Sequence, residues 1–341
     1  MRVYYYPPLY SYGAKVIVDN FKAACERAGL EYCLLENLNN SKIEDFIIPQ
    51  GVKNGVELLR RGYHTSYILL GDAMSLGYYN KMIFYLKKGH VFNKDFLYSV
   101  YGYLKYRRED KRIVNHYSDV VLYSQSDIDF LIKLAPRARC RYICVPNGIY
   151  KTDNVQSKSN HEEFTLGLMS SWGSFQSYEE NNWFIRTYYK RYIKTQPNVK
   201  LLVAGRGEYI SKLLGLNNVT VIGEVADLGD FFNQIDLFLS VNPKGCGILN
   251  RVLDAIVYKV PVMGNNASFS GFQNSEGIFL RFSDYNSFVK AMDYALNHKN
   301  EIRKMADNAY EYALENNDWD KNYDYLVNNI VESAGGGLNN G

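Results

Sequence analysis

The sequence predicts an α/β protein made of two Rossmann-like halves, each a parallel sheet flanked by helices. Three observations predict it. Residues 3–6, 14–28 and 31–35 read as strand, amphipathic helix and strand around a loop at Tyr10–Gly13, with Gly29 as the helix C-cap. Residues 237–263 repeat that order: an apolar strand at 237–241, a tight turn at Lys244-Gly245-Cys246-Gly247, a helix over 248–258, and a buried strand at 261–263. In that helix Ile248, Val252, Ala255 and Ile256 share one face. The length, 341 residues, is long for one core and comfortable for two.

In chain order, residues 37–66 yield no assignment. Residues 66–70 form an apolar strand ending at Gly71-Asp72. Ligands in open α/β sheets gather beyond the carboxyl ends of strands, so Asp72 is a candidate catalytic residue; a helix N-cap is its other reading. Residues 74–87 are helical. Residues 90–93 read as a strand with His90 and Asn93 as further candidates, a surface or structurally bonded histidine being the alternative for His90. Residues 119–124, 126–134 and 141–145 read as strand, helix and strand, and Asn147-Gly148 then requires a turn with positive φ. Residues 151–163 are polar and read as a linker.

The second half opens with a strand at 164–169 and a loop at 170–178. A helix follows over 182–194, whose Trp183, Phe184 and Tyr188 read as core. Residues 199–204 run into Gly205-Arg206-Gly207-Glu208, and residues 219–222 into Gly223-Glu224-Val225. A short helix is expected at 228–234, a loop at 268–272, a strand at 277–280, and helices from 283, over 300–316 and from 319. The expected divisions are a first domain at 1–155, a second at 156–318, a closing helix at 319–333 and a flexible tail at 334–341.

Composition narrows the function classes. A 47% hydrophobic and 22% charged chain supports ordinary cores and argues against disorder. The net charge of +3 is too small to point to nucleic acid. No secretion signal and no run of about 18–20 apolar residues is visible, so a cytoplasmic location is expected. Five cysteines, an odd number, read as free thiols. Cys140 and Cys144 stand alone and read as structural, and Asp127-Ile128-Asp129 lies in a helix, so no metal site is expected. Residues 84–112 interleave aromatic and basic side chains, among them Tyr98, Tyr101, Lys105, Arg107, Arg108 and Arg112. That pattern fits a surface facing anionic lipid; an ordinary solvated basic face is the other reading.

The turn and helix from Lys244 onward offer backbone N–H groups and the positive end of a helix dipole, joined by Lys244 and Arg251, as an anion site. Asp254 lies further along the helix, where a carboxylate can accept hydrogen bonds from sugar hydroxyls. This stretch is similar to the nucleotide-sugar segment of GT-B glycosyltransferases, above all family four, whose bacterial members read G-G-G-T-R-x-K-V-L-E-A-x-A-x-G-x-P-V-V. Residues 245–262 follow it, with Arg251 at the family's lysine and Asp254 at its ribose-binding glutamate. They depart from it at Cys246, where a first glutamate is usual, at Leu249, where a basic residue is usual, and at Tyr258-Lys259. Tyr-Ser-Gln-Ser-Asp at 123–127, Val-Pro-Asn-Gly at 145–148, Gly-Arg-Gly-Glu at 205–208, Gly-Glu-Val at 223–225 and Asn-Asp-Trp-Asp at 317–320 also resemble family segments.

The resemblance implies a GT-B fold, two Rossmann-like domains with parallel sheets facing a central cleft. It implies transfer of a sugar from a nucleoside diphosphate sugar (UDP or GDP) to a hydroxyl of a glycan or lipid-linked acceptor, with retention, no metal and no cofactor. Bacterial surface polysaccharide synthesis and peripheral contact with the inner face of the membrane are its family-level corollaries. By that resemblance Gly13, Arg206, Glu224, Val225, Lys244, Gly245, Cys246, Gly247, Ile248, Leu249, Arg251 and Asp254 hold the donor, and Asp72, His90 and Asn93 serve catalysis. Two other readings stay open: a catalytically degenerate sugar- or nucleotide-binding protein, and a nucleotide-sugar epimerase on the same fold.

Overall fold

A computed structural model describes residues 1–7, 12–42, 46–63, 66–87, 89, 93–152, 155, 163–173 and 175–336. The chain forms two compact units. The first holds residues 1–148, 246–248 and those from 316 on; the second holds 149–245 and 249–315.

The first unit runs β1 (Arg2–Tyr6), α1 (Tyr12–Arg27), β2 (Glu31–Leu34), β3 (Ile47–Pro49), α2 (Gly51–Arg61), β4 (Tyr67–Gly71), α3 (Met74–Lys87), α4 (Lys94–His116), β5 (Asp119–Leu122), α5 (Gln125–Leu134) and β6 (Arg141–Cys144). Its strands are all parallel, in the orders β2-β1-β3 and β4-β5-β6, and a bridge from Gln50 to Leu69 joins the two sets. β4 and β5 are buried along their whole length, as apolar strands covered by helices on both faces must be. The last helix of the chain also belongs here. Its Trp319, Tyr323, Leu326, Val327 and Ile330 pack with Val3, Tyr5, Ile17 and Phe21 in one core, and Arg27 pairs with Asp320 at 2.9 Å and Asp324 at 2.6 Å.

The second unit runs β7 (Phe164–Met169), α6 (Phe175–Phe184), a π turn (Ile185–Tyr189), α7 (Lys190–Tyr192), β8 (Val199–Ala204), β9 (Val219–Gly223), α8 (Gly229–Phe232), β10 (Leu237–Ser240), α9 (Asn250–Val257), β11 (Val262–Asn265), β12 (Leu280–Phe282), α10 (Tyr285–Asn297) and α11 (Lys299–Asn316); the closing helix is α12 (Trp319–Gly336). One six-stranded sheet has the order β12-β11-β10-β7-β8-β9 and every pairing in it is parallel. Phe184 and Tyr188 enter its aromatic core as expected, packing with Phe282 and Phe288.

Several boundaries differ from expectation. The helix after β7 begins at Phe175, not 182, because its first two turns are polar and carry no apolar period. The strand expected at 277–280 lies at Leu280–Phe282, paired with β11 from Met263 onward. Residues 334–336 of the expected tail belong to α12, which continues to Gly336, and the rest of that tail lies outside the described residues. Gly148 does not need a positive φ. It is glycine because a Cβ there would stand 2.4 Å from Trp319. The strand expected at 90–93 and the candidate His90 lie outside the described residues, apart from Asn93.

Candidate active site

In the second unit the strand order reverses between β7 and β10, so the crevice for a ligand lies beyond their carboxyl ends. Three loops meet there: the one after β7, the one after β8 and the one after β10. The first two are bonded backbone to backbone. Trp172 N–H donates to the Arg206 carbonyl (2.8 Å), Tyr209 N–H to the Trp172 carbonyl (3.1 Å), and the Trp172 indole to the Ala204 carbonyl (2.9 Å). Gly205 (φ 125°) and Gly207 (φ 137°) have to be glycine, because a Cβ would lie 1.9 Å from the Ser170 carbonyl oxygen and 2.1 Å from the Gly173 nitrogen. The Arg206 side chain is 84% exposed and Glu224 63%, and they approach at 3.7 Å.

The loop after β10 is held by side chains. Asn265, at the end of β11, accepts the Asn242 N–H at 2.9 Å and donates to the Asn242 carbonyl at 2.7 Å. The Ser268 hydroxyl stands 2.7 Å from Asn265 Oδ1 and 2.8 Å from the Ser240 carbonyl. Asn242 in turn accepts the Lys244 N–H at 3.0 Å. Arg251 Nη2 donates to the Val241 carbonyl at 3.3 Å. Its Nε is buried with no hydrogen-bond partner among the described residues, and burial lowers the guanidinium's pKa against the opposing charge of Glu180. The Asp254 carboxyl is pushed by burial up to about 7.

Helix α9 begins at Asn250, two residues later than expected. Its N-cap Leu249 makes no side-chain capping bond, and its first turn holds no acid. Arg251, a half-buried cation at the positive end of a helix, therefore sits where the dipole opposes it, with Glu180 as an opposing charge.

Residues 246–248 belong to the first unit. There the Gly247 N–H, expected to be open to an anion, donates to Asp127 Oδ2 at 2.8 Å. Gly247 has φ 63°, and a Cβ on it would stand 2.0 Å from Asp72 Oδ1. The Asp72 carboxylate thus lies just past β4, packed against this glycine. Asp127 is fully buried, also accepts the Ala73 N–H at 2.8 Å and bonds the Ser124 hydroxyl; burial raises its pKa. Asp110 accepts the Ser75 N–H at 2.9 Å and is pushed by burial up to about 7. Asn93 is the N-cap of α4, its amide oxygen accepting the Asp95 N–H at 2.8 Å. Gly13 lies in the first turn of α1, not in a loop before it.

The second unit thus gathers Arg206, Glu224, Lys244 and Gly245 at the strand ends and Arg251 and Asp254 at the start of α9. Asp72 and residues 246–248 meet in the first unit. Sequence reading missed Asn242, Asn265, Ser268, Trp172 and the buried role of Asp127. A signal existed for the first two: an asparagine placed just beyond each of two adjacent apolar strands.

The class follows from the comparisons. Residues 168–298 match the family model described as Glycosyl transferases group 1. A solved sucrose-phosphate synthase from Thermosynechococcus elongatus superposes with a TM-score of 0.71 at 12% identity, over 98% of this chain and 100% of that one. HepE from Anabaena, in complex with UDP and glucose, gives 0.66 at 13% identity, over 97% and 99%. A UDP-forming trehalose-phosphate synthase from Burkholderia xenovorans gives 0.63 at 9%, over 95% and 80%. No curated protein sequence matches the chain. These neighbours are GT-B glycosyltransferases, and the chain has their fold, with a group 1 glycosyltransferase match in its second unit.

Proposed function

We propose that the protein is a glycosyltransferase that takes a sugar from a nucleoside diphosphate sugar and delivers it to a hydroxyl of a glycan or lipid-linked acceptor. The observation that carries this reading is Arg251. A half-buried guanidinium at an uncapped helix start, with a buried Nε that has no partner among the described residues, suits a ligand anion in addition to the opposing charge of Glu180. A diphosphate supplies it. As the glycosidic bond to phosphate breaks, negative charge grows on the leaving diphosphate and the sugar becomes oxocarbenium-like; Arg251 and Lys244 stabilise that charge. Ionised Asp254 accepts hydrogen bonds from the ribose, and Arg206 and Glu224 border the base from exposed positions, with Val225 beside them. Asp72 is the first-unit candidate for the acceptor hydroxyl. UDP is the first donor nucleotide to try, because HepE is solved with UDP and with UDP-glucose; GDP is the second.

The finer parts of the reading, retention, metal independence and a role in bacterial surface polysaccharide synthesis, rest on the resemblance of residues 245–262. Peripheral membrane contact is supported by α4. Leu97, Tyr98, Tyr101 and Leu104 are exposed along it, and Arg60, Lys105, Arg108 and Arg112 surround a cavity of about 510 Å³ beside them. No helix among the described residues is long and apolar enough to cross a membrane.

The test is thermal stabilisation by UDP, GDP, ADP and CMP, free and as sugar conjugates. A ligand that binds the folded state at a hundred times its Kd stabilises it by about 2.7 kcal/mol. A shift with one nucleotide is the expected result. Binding without transfer to any acceptor would favour a degenerate sugar-nucleotide-binding protein, which the departure at Cys246 motivates. Donor consumption without acceptor would favour an epimerase.

A further inference from the structure

We infer that Asn265 is a positioning residue that fixes the backbone from which both donor cations are offered. The inference rests on the donor reading above. β10 and β11 pair as far as Ser240 and Gly264. Beyond that point the loop leaves the sheet, and Asn242, buried at 4% exposure, would keep an orphaned N–H and C=O. The Asn265 carboxamide meets both at once, accepting at 2.9 Å and donating at 2.7 Å, so a side chain stands in for one more peptide of the ladder. No other side chain does this at the same reach: aspartate lacks the donor, serine has one atom, and glutamine is a methylene longer. The Ser268 hydroxyl lies between Asn265 Oδ1 (2.7 Å) and the Ser240 carbonyl (2.8 Å), tying the carboxamide to the end of β10. Gly264 leaves room for this, since a Cβ there would stand 3.0 Å from the Ser268 Cβ.

What hangs from this segment is chemical. Arg251 bonds the carbonyl of Val241, one residue before Asn242, and the Lys244 N–H bonds the side chain of Asn242. Both cations take their place from a backbone that Asn265 holds. Loosening it moves the charges without removing either, so the loss falls on donor binding rather than on the fold.

The experiment compares wild type with Asn265→Asp, which keeps the shape and the acceptor but turns the donor into an acceptor facing the Asn242 carbonyl. Amide exchange of the free protein, read over residues 242–247, should quicken at least tenfold while β8 stays protected. The Kd for UDP-glucose, or for whichever nucleotide of the panel stabilises wild type, should rise at least tenfold. The ratio of variant to wild-type Kd should shrink from pH 8 to pH 6, because a protonated carboxyl regains a donor; a merely structural defect would not show that recovery. Asn265→Ala should loosen the loop without any pH recovery. Unchanged exchange and unchanged Kd in Asn265→Asp, with wild type binding donor normally, overturn the inference alone. Wild type binding none of the four nucleotides overturns the donor reading, and the role assigned to Asn265 falls with it.

Discussion

Two helix starts in this chain solve the same electrostatic problem in opposite ways. At α3, in the first unit, the protein supplies its own anions: Asp127 accepts the Ala73 N–H and Asp110 the Ser75 N–H, both buried. At α9, in the second unit, the N-cap makes no side-chain bond, there is no acid in the first turn, and a half-buried arginine is added to the positive pole. At α3 the two N–H groups have side-chain acceptors, although Asp110 Oδ1 is itself buried without a partner among the described residues. At α9 the N-cap supplies no acceptor, and Glu180 opposes the charge of Arg251. Two similar sheets can thus be told apart as scaffold and binding site by asking which helix start is already satisfied.

The largest test of that contrast is on the scaffold side. Asp127→Ala leaves the Ala73 and Gly247 amides buried without their acceptor, and should cost about 3 kcal/mol of unfolding free energy by urea titration. A loss below about 0.5 kcal/mol would mean that water serves those amides equally well. On the ligand side the order reverses. Arg251→Ala should weaken nucleotide binding by about 2 kcal/mol, roughly thirtyfold, and Asp254→Ala by at least about 1.4 kcal/mol, tenfold, both by calorimetry. Wild-type affinity in both variants would remove the site from α9.

The pH behaviour sharpens the comparison. Asp254 and Asp110 both rise from 3.8 to about 7. A carboxyl raised in the folded state favours folding at low pH, and that contribution is lost as pH climbs between about 4 and 7. Stability should therefore fall over that window, and Asp110→Asn should flatten the fall. Binding runs the other way. Ionised Asp254 is the stronger acceptor for the ribose hydroxyls, so UDP-glucose, whose diphosphate does not titrate there, should bind better at pH 8 than at pH 6, by up to about tenfold. Asp254→Asn should abolish that slope. The smallest effect expected is at Arg206. Its ion pair with Glu224 is exposed and 3.7 Å long, so Arg206→Ala should leave stability within about 0.5 kcal/mol.

Much of the fold was legible because parallel strands buried on both faces leave apolar runs that end in glycine or a polar turn. Leu237–Ser240 and Tyr67–Gly71 are such runs, and both lie where expected. The glycines at 205 and 207 were legible as a loop, but the reason for them, contact with the Ser170–Gly173 backbone, was not. Helix α9 looked longer in sequence because Ile248 and Leu249 fit its apolar period, whereas Gly247 at φ 63° holds the backbone out of the helix before them. The partners of Asn242 and Asp127 stand 23 and 120 residues away; the asparagines at two adjacent strand ends hint at the first pair, and no local pattern encodes the second. The charged and glycine candidates have a local signature; the buried carboxylate of Asp127 and the carboxamide of Asn265 do not announce their distant partners.

The closing helix sets a timetable for synthesis. Tyr5 and Phe21 reach their core partners only when Tyr323 and Val327 exist, and Arg27 meets Asp324 across a separation of 297 residues. On the ribosome β1 and α1 wait for α12, while the second unit has its whole sequence by residue 315. The first unit thus keeps an apolar face uncovered until residues 319–330 are made, about 300 residues after its first strand.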